Sequence, residues 1–200
     1  MSVHLRPVES CDSERLMDWR NRPEVAAYMY TDHVISAEEH ARWFAAAMAA
    51  PDRKYWIIEL DRQPVGLANL AGVDLSRRRS EWAYYLAETS VRGRGVGAAV
   101  EFAMIDHVFG RLGLHKLWCE VLIENEAVWR LHESFGFVRE ALYRDHVFKA
   151  GRFQDVVGLG LLEDDWTRVR PGCAERLAQK GYDASTLSLA WTGRHPAAPQ

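Results

Sequence analysis

Cysteine is scarce: the three present, Cys11, Cys119 and Cys173, are odd in number and show no CxxC spacing. That argues against a disulfide framework and against a zinc site, so no metal ligands are assigned, and a reducing, cytoplasmic setting fits best. Long apolar runs are also missing. No stretch approaches the roughly 20 residues that span a bilayer, and the N-terminus lacks the basic region and apolar run of a secretion signal. Neither membrane insertion nor export is expected. Charge of one sign is absent as well. With 26% charged residues and a formal net charge of −3, there is no overall basic field to hold nucleic acid or an anionic membrane surface. Any anionic ligand has to be met locally.

What is present is a chain of 200 residues, 48% hydrophobic, enough to bury one substantial core. Val3 to Val8 alternates as a short strand, and Asp12 to Asn21 carries Leu16, Met17 and Trp19 on a helix that stops before Pro23. Ser36-Ala37-Glu38-Glu39 is a capping box opening a helix with Trp43, Phe44 and Met48. Lys54 to Leu60 and Pro64 to Val73 predict a hairpin around Asp61-Arg62-Gln63, with Pro64 at a strand edge. Glu81 to Leu86 predicts a third strand after the turn Arg77-Arg78-Arg79. Val96 to Phe109 has helical spacing, Leu117 to Ile123 reads as a buried strand, and Asn125 to Phe135 returns to helical period. Phe137 to Phe148 and Phe153 to Leu161 form a last hairpin. From Thr167 the pattern weakens. Pro171, Pro196 and Pro199 punctuate a tail with one short helix expected at Ala174 to Lys180.

Arg92-Gly93-Arg94-Gly95-Val96-Gly97 runs from a strand into a helix. Glycines at alternate positions expose backbone N–H groups, and the helix adds the positive end of its dipole, a combination suited to a pyrophosphate. Side chains at Gly95 and Gly97 would hold phosphates off the backbone, while Arg92 and Arg94 add charge-assisted hydrogen bonds. A dinucleotide fingerprint would want an acidic residue about 20 positions onward at the end of a second strand. Here that region is still helical, which disfavours a nicotinamide cofactor.

On these residues the chain resembles the GNAT superfamily of acetyltransferases, whose acetyl-CoA motif, Gln/Arg-x-x-Gly-x-Gly/Ala, is matched by Arg92, Gly95 and Gly97. A second family element, asparagine followed by a short helix ending in Gly-Phe, is matched by Asn125 with Gly136-Phe137. The resemblance implies an α/β fold with a mixed, mostly antiparallel, twisted sheet with splayed central strands, flanked by helices, and acetyl-CoA as donor. It covers about residues 3 to 166, implying a GNAT acetyltransferase domain at 1–166 and a C-terminal extension, partly helical or disordered, at 167–200.

Within the superfamily, Asp18 to Pro23, Glu38-Glu39-His40 with Trp43, Arg53 to Trp56, Glu81 to Leu86, Asn125 to Phe137, His146 to Lys149 and Asp155 to Val157 resemble one branch. That branch acetylates the 4-amine of UDP-4-amino-4,6-dideoxy-N-acetyl-β-L-altrosamine in pseudaminic acid synthesis, which feeds flagellin glycosylation. The resemblance thus implies a UDP-amino sugar as acceptor, with no nucleic-acid or membrane partner and a homodimer as an allowed assembly.

Direct acetyl transfer needs a neutral amine, a stabilised carbonyl oxygen and a proton for the departing thiolate. The resemblance places the pantetheine arm between Glu81 to Leu86 and Leu117 to Ile123, with backbone amides at Leu86 and Ala87 near the thioester oxygen and Asn125 on the pantetheine side. Asparagine also caps helices without any ligand. His132 stands where the family usually has a tyrosine acid. It is a candidate to protonate the thiolate or hydrogen-bond the sulfur, set against a surface histidine satisfied by a neighbour. Glu120 and Glu81 compete as candidate base, burial raising the pKa of either; a structural carboxylate, or a relay through water, is the alternative. Arg20, Tyr28, His40, Trp43 and Tyr85 are candidates for acceptor binding through charge, hydrogen bonding and stacking. Trp19, Trp43 and Trp56 at periodic positions also fit a core. Three other functions stay open: a protein N-terminal or ribosomal-protein acetyltransferase, a small-amine acetyltransferase, and a non-catalytic acyl-CoA-binding protein.

Overall fold

The computed structural model describes residues 1–190; Pro196 and Pro199, assigned above to a punctuated tail, lie outside them. Eight strands form one sheet in the order β6-β7-β5-β4-β3-β2-β1-β8. They are β1 (Val3–Pro7), β2 (Lys54–Leu60), β3 (Gln63–Asp74), β4 (Arg79–Leu86), β5 (Lys116–Leu122), β6 (Val138–Lys149), β7 (Arg152–Leu162) and β8 (Ser188–Leu189). All neighbours pair antiparallel except β4 with β5 and β1 with β8, so the expected mixed, mostly antiparallel sheet is what forms. Pro64 pairs with Glu59 beside a bulge, while β4 joins β3 only from Gly66 onward. The proline therefore sits where its missing N–H costs the sheet nothing.

Six helices flank the sheet: α1 (Ser13–Asn21), α2 (Pro23–Ala26), α3 (Ala37–Ala49), α4 (Val96–Gly110), α5 (Glu126–Ser134) and α6 (Glu163–Gln179). The Ser36 side chain accepts from the Glu39 N–H at 3.2 Å, the serine half of the expected capping box, while the Glu39 carboxylate meets His33 Nε2 at 2.9 Å instead of returning to Ser36. Twelve of the fifteen residues of α4 are buried, the signature of a helix enclosed on all sides. It packs into the main core with Trp56, Trp82, Leu117 and Leu161. A second cluster, Leu16, Trp19, Val25, Ile57, Leu67 and Ala87, fills the opposite face under α1 and α2. Gly136 ends α5 with φ +95°, a left-handed position that suits glycine.

The C-terminal region differs from expectation. Instead of a short helix at Ala174 to Lys180, α6 runs unbroken from Glu163 to Gln179 through Pro171. Trp166, Cys173 and Leu177 are buried along it, with Val169 packed against the same core. That stripe has helical spacing, and its burial, about 2 kcal/mol per large side chain, offsets the one hydrogen bond that proline removes.

Candidate active site

The parallel β4–β5 ladder is short: Arg79 pairs with Lys116, Ser80 with Leu117 and Glu81 with Trp118, and there the pairing stops. Both strands continue, β4 to Leu86 and β5 to Leu122, so they diverge and leave a wedge in the middle of the sheet. This wedge opens into a cleft of about 580 Å³ whose walls include Glu81 to Leu86, Cys119 to Leu122, Arg92, Asn125 and His132. The Ala87 N–H is spent on the Val65 carbonyl at 2.8 Å, on the β3 side. Strand alternation turns the neighbouring Leu86 N–H toward β5 and the wedge, so of this pair of amides only Leu86 faces the cleft with its donor.

At one mouth lies the glycine loop. Gly93 and Gly95 have φ of +74° and +78°, and Gly95 is the N-cap of α4. The N–H groups of Gly93, Gly95, Val96 and Gly97 have no backbone acceptor among the described residues. A Cβ at Gly97 would stand 3.0 Å from the Tyr84 hydroxyl, so the loop runs close over the cleft wall. Free donors, a helix N-terminus and the exposed Arg92 are a combination whose chemistry suits a pyrophosphate.

At the apex, α5 carries His132 down onto α4. His132 and Glu101 are 3% and 0% exposed, and His132 Nδ1 lies 2.9 Å from Glu101 Oε1. Burial works against the imidazolium, but the Glu101 charge and the Cys119 side chain outweigh it and push the His132 pKa up to about 10. Glu101 is itself raised, by burial, with His132 opposing the shift. The ring is fixed by Trp82 and Phe137, at 5.2 and 5.3 Å between centroids. The cleft thus ends on an imidazole whose other face is held by a buried carboxylate.

The far mouth is acidic. Glu24, Glu81 and Glu120 line it together with Tyr28, Met29 and Tyr30. The Tyr30 hydroxyl donates to Glu120 Oε2 at 2.9 Å. The Glu81 pKa is raised, first by burial and then by the charge of Glu120, with Arg53 opposing. The segment bearing these aromatics is tied down by Lys149, 7% exposed, whose Nζ donates to the carbonyls of Ala26, Met29 and Thr31 at 2.7, 2.6 and 3.0 Å. Three carbonyls satisfy all three of its donors, so the loop is clamped although it has almost no secondary structure.

Residues 2–138 match the acetyltransferase (GNAT) domain family. The chain belongs to it. It is an acetyl-CoA-dependent N-acetyltransferase, and the free N–H groups of its glycine loop fit that donor. Among curated proteins it is 24% identical to the spermidine N(1)-acetyltransferase of Vibrio cholerae over 163 residues, covering 81% of this chain and 94% of that one. It is 25% identical to the acetyltransferase PseH of Campylobacter jejuni over 130 residues, covering 65% and 79%. A crystal structure of the Vibrio cholerae spermidine N-acetyltransferase with CoA and spermine superposes with a TM-score of 0.77 at 23% identity, covering 83% of this chain and 98% of that one.

The acetyltransferase brings some of the sequence candidates together and leaves others apart. Glu81, Tyr85, Leu86, Arg92, Glu120, Asn125 and His132 share the cleft wall with Tyr28. Asn125 occupies the N-cap of α5 without a side-chain cap bond. Arg20, His40 and Trp43 are not among the lining residues. Arg20 Nη2 reaches Thr31 Oγ1 at 3.3 Å, and burial lowers its pKa, with Tyr85 opposing. His40 is buried against Ser13, 3.1 Å away, and Trp43 sits edge-on to Tyr55 at 5.6 Å. Trp19 and Trp56 are core residues, each 2% exposed. Sequence reasoning passed over Glu101, Tyr30, Glu24 and Lys149. Glu101 did leave a signal: it is a lone carboxylate in the otherwise apolar run Val96 to Ile105.

Proposed function

We propose that the acceptor is a small cationic alkyl amine of the polyamine class, acetylated by direct attack on the thioester. The carrying observation is that Glu24, Glu81 and Glu120 all line one cleft, where the charge of Glu120 adds to burial in raising the Glu81 pKa, while two of the nearby cations are already engaged. Lys149 is held by three carbonyls and Arg22 by Asp18 and Glu88. A nucleotide sugar would bring two phosphate charges to this mouth; among the described residues the cations lining the cleft are Arg92, on the donor side, and the buried His132. The spermidine acetyltransferase relatives support the cationic acceptor. The PseH relatives keep the UDP-amino sugar, and with it pseudaminic acid synthesis, as the competing reading.

On this reading the glycine loop and Arg92 take the pyrophosphate, the pantetheine arm fills the wedge beside Asn125, and the Leu86 N–H meets the thioester oxygen. Glu120, oriented by Tyr30, holds the ammonium form of the acceptor, and Glu81, with its raised pKa, accepts the proton as the amine becomes a nucleophile. His132 faces the departing sulfur. With a pKa near 10 against about 8.5 for an ordinary thiol, the imidazolium is a weaker acid than the thiol it would make. Full proton delivery would be uphill by about 2 kcal/mol. His132 therefore acts mainly by hydrogen-bonding and charge-stabilising the thiolate.

The test is thiol release from acetyl-CoA by the full chain with spermidine, a 4-amino UDP-sugar and N-terminal peptides as acceptors. Turnover is expected with spermidine, and Glu24→Gln should raise the spermidine KM about 5-fold, the effect of one partly exposed charge contact, without moving the acetyl-CoA KM. Turnover confined to the UDP-sugar or to peptides would overturn the acceptor assignment.

A further inference from the structure

Around the donor loop, a buried contact comes from outside both the cleft and the matched family region. Tyr182 follows α6, is 1% exposed, and its hydroxyl donates to the Arg94 carbonyl at 2.8 Å. Its ring and the Lys180 stem lie directly under the loop. A Cβ at Gly95 would stand 3.2 Å from Tyr182 Cε2 and 3.1 Å from Lys180 Cδ. The segment is anchored on either side. Before it, the Tyr182 N–H closes the end of α6 on the Leu177 carbonyl at 3.0 Å. After it, β8 pairs parallel with β1, the Ala190 N–H donates to Leu5 at 2.9 Å, and Trp56 Nε1 donates to the Ala190 carbonyl at 2.8 Å.

We propose that Tyr182 is a positioning residue for the acetyl donor, setting the orientation of the Arg94–Gly95 peptide so that the Gly95 N–H faces the pyrophosphate. A trans peptide is planar, with its C=O and N–H pointing in opposite directions. Fixing the Arg94 carbonyl inward on Tyr182 therefore turns the Gly95 N–H outward, where it has no acceptor among the described residues. Glycine at φ +78° has alternative conformations close at hand, so the peptide needs an external hold to stay in one. The tail thus completes the donor site from beneath without touching the ligand. This rests on the reading that Arg92 to Gly97 takes the pyrophosphate.

Tyr182→Phe keeps the ring under Gly95 and removes only the hydroxyl. CoA affinity would be measured by calorimetry, and kinetics with acetyl-CoA and with S-acetylpantetheine, which lacks the pyrophosphate. Losing one neutral hydrogen bond predicts CoA Kd and acetyl-CoA KM about 5-fold higher, with kcat within about 2-fold and kcat/KM for S-acetylpantetheine unchanged. An unchanged CoA Kd, or an equal loss with both donors, would overturn the proposal. Arg92→Glu, an exposed charge reversal, separates the two levels. It should weaken CoA at least about tenfold if the loop holds the pyrophosphate. If it does not, the loop reading and the brace fall together; if Arg92→Glu weakens CoA and Tyr182→Phe does not, only the brace falls.

Discussion

Glu101→Gln tests the apex of the cleft with a change of one atom type. In the native protein the pKa of His132 is pushed up to about 10 because the Glu101 charge and the Cys119 side chain together more than offset the cost of burying the cation. Glutamine keeps the shape and still accepts a hydrogen bond at Nδ1, but it carries no charge. Burial then works against the cation with only the Cys119 side chain still opposing it, so the His132 pKa falls. If it falls to the ordinary imidazole value of about 6.5, about 3% of molecules stay protonated at pH 8. If the imidazolium is the form that stabilises the thiolate, kcat at pH 8 falls about 30-fold. The assay is kcat from thiol release between pH 6 and 10, with the imidazole nitrogen shifts followed by NMR as a readout independent of catalysis. The native alkaline limb should lie near pH 10 and that of the variant at clearly lower pH. Stability carries the same sign. A histidine whose folded pKa is raised contributes stability fully present below its unfolded pKa, and that contribution is lost as pH rises through the folded value. The native melting temperature should therefore decline between about pH 6.5 and 10 relative to Glu101→Gln, in which His132 no longer titrates across that window. Superimposable pH–rate profiles for the two proteins would refute the role of the charged imidazole, even if the nitrogen shifts moved as expected.

Two further outcomes follow from the packing. Lys149→Met should free the segment carrying Tyr28, Met29 and Tyr30, raising the acceptor KM about tenfold or more, since three hydrogen bonds from a charged donor are lost, with the acetyl-CoA KM unchanged in the same kinetic assay. Gly66→Ala places a Cβ against the Tyr85 carbonyl, where backbone rather than a flexible side chain has to move. A loss of about 1–3 kcal/mol, or roughly 2–12 °C in melting temperature for a chain of this size, is expected by calorimetry.

The scaffold was legible wherever periodicity reported burial directly. β2 lies at Lys54 to Leu60 as its pattern predicts, and α4 begins at Val96, as its helical spacing predicts. The donor loop was legible because its requirement is local: glycine φ values and free N–H groups arise within six consecutive residues. At the apex and the far mouth His132, Glu81 and Glu120 were legible as candidates but their partners were not, because those are long-range pairs. Glu101 meets His132 across 31 positions, Tyr30 meets Glu120 across 90, and Lys149 reaches carbonyls about 120 residues away. Trp43 shows the opposite failure. Its spacing fits both core and ligand platform, yet at 36% exposure it sits on the rim of α3, clear of the cleft. Pro171 suggested a stop that tertiary packing of Trp166, Cys173 and Leu177 overrides.

The arrangement of charge along the wedge bears on what a histidine does at position 132, where the resemblance to the superfamily implies a tyrosine. During acetyl transfer, positive charge grows on the attacking nitrogen while negative charge grows on the carbonyl oxygen and then on the sulfur. On the proposed reading Glu81 and Glu120 stand at the amine end and the imidazole of His132 at the sulfur end; all three line the cleft, and Glu101 backs the imidazole. That is a fixed dipole aligned with the one the reaction creates, and in a partly dry cleft such preorganised charge acts more strongly than in water. A tyrosine donates a hydrogen bond to the sulfur but brings no charge. An imidazolium brings both, and keeping it charged in a buried position requires a buried anion, which is the chemical reason for Glu101 to sit in the middle of an otherwise apolar helix.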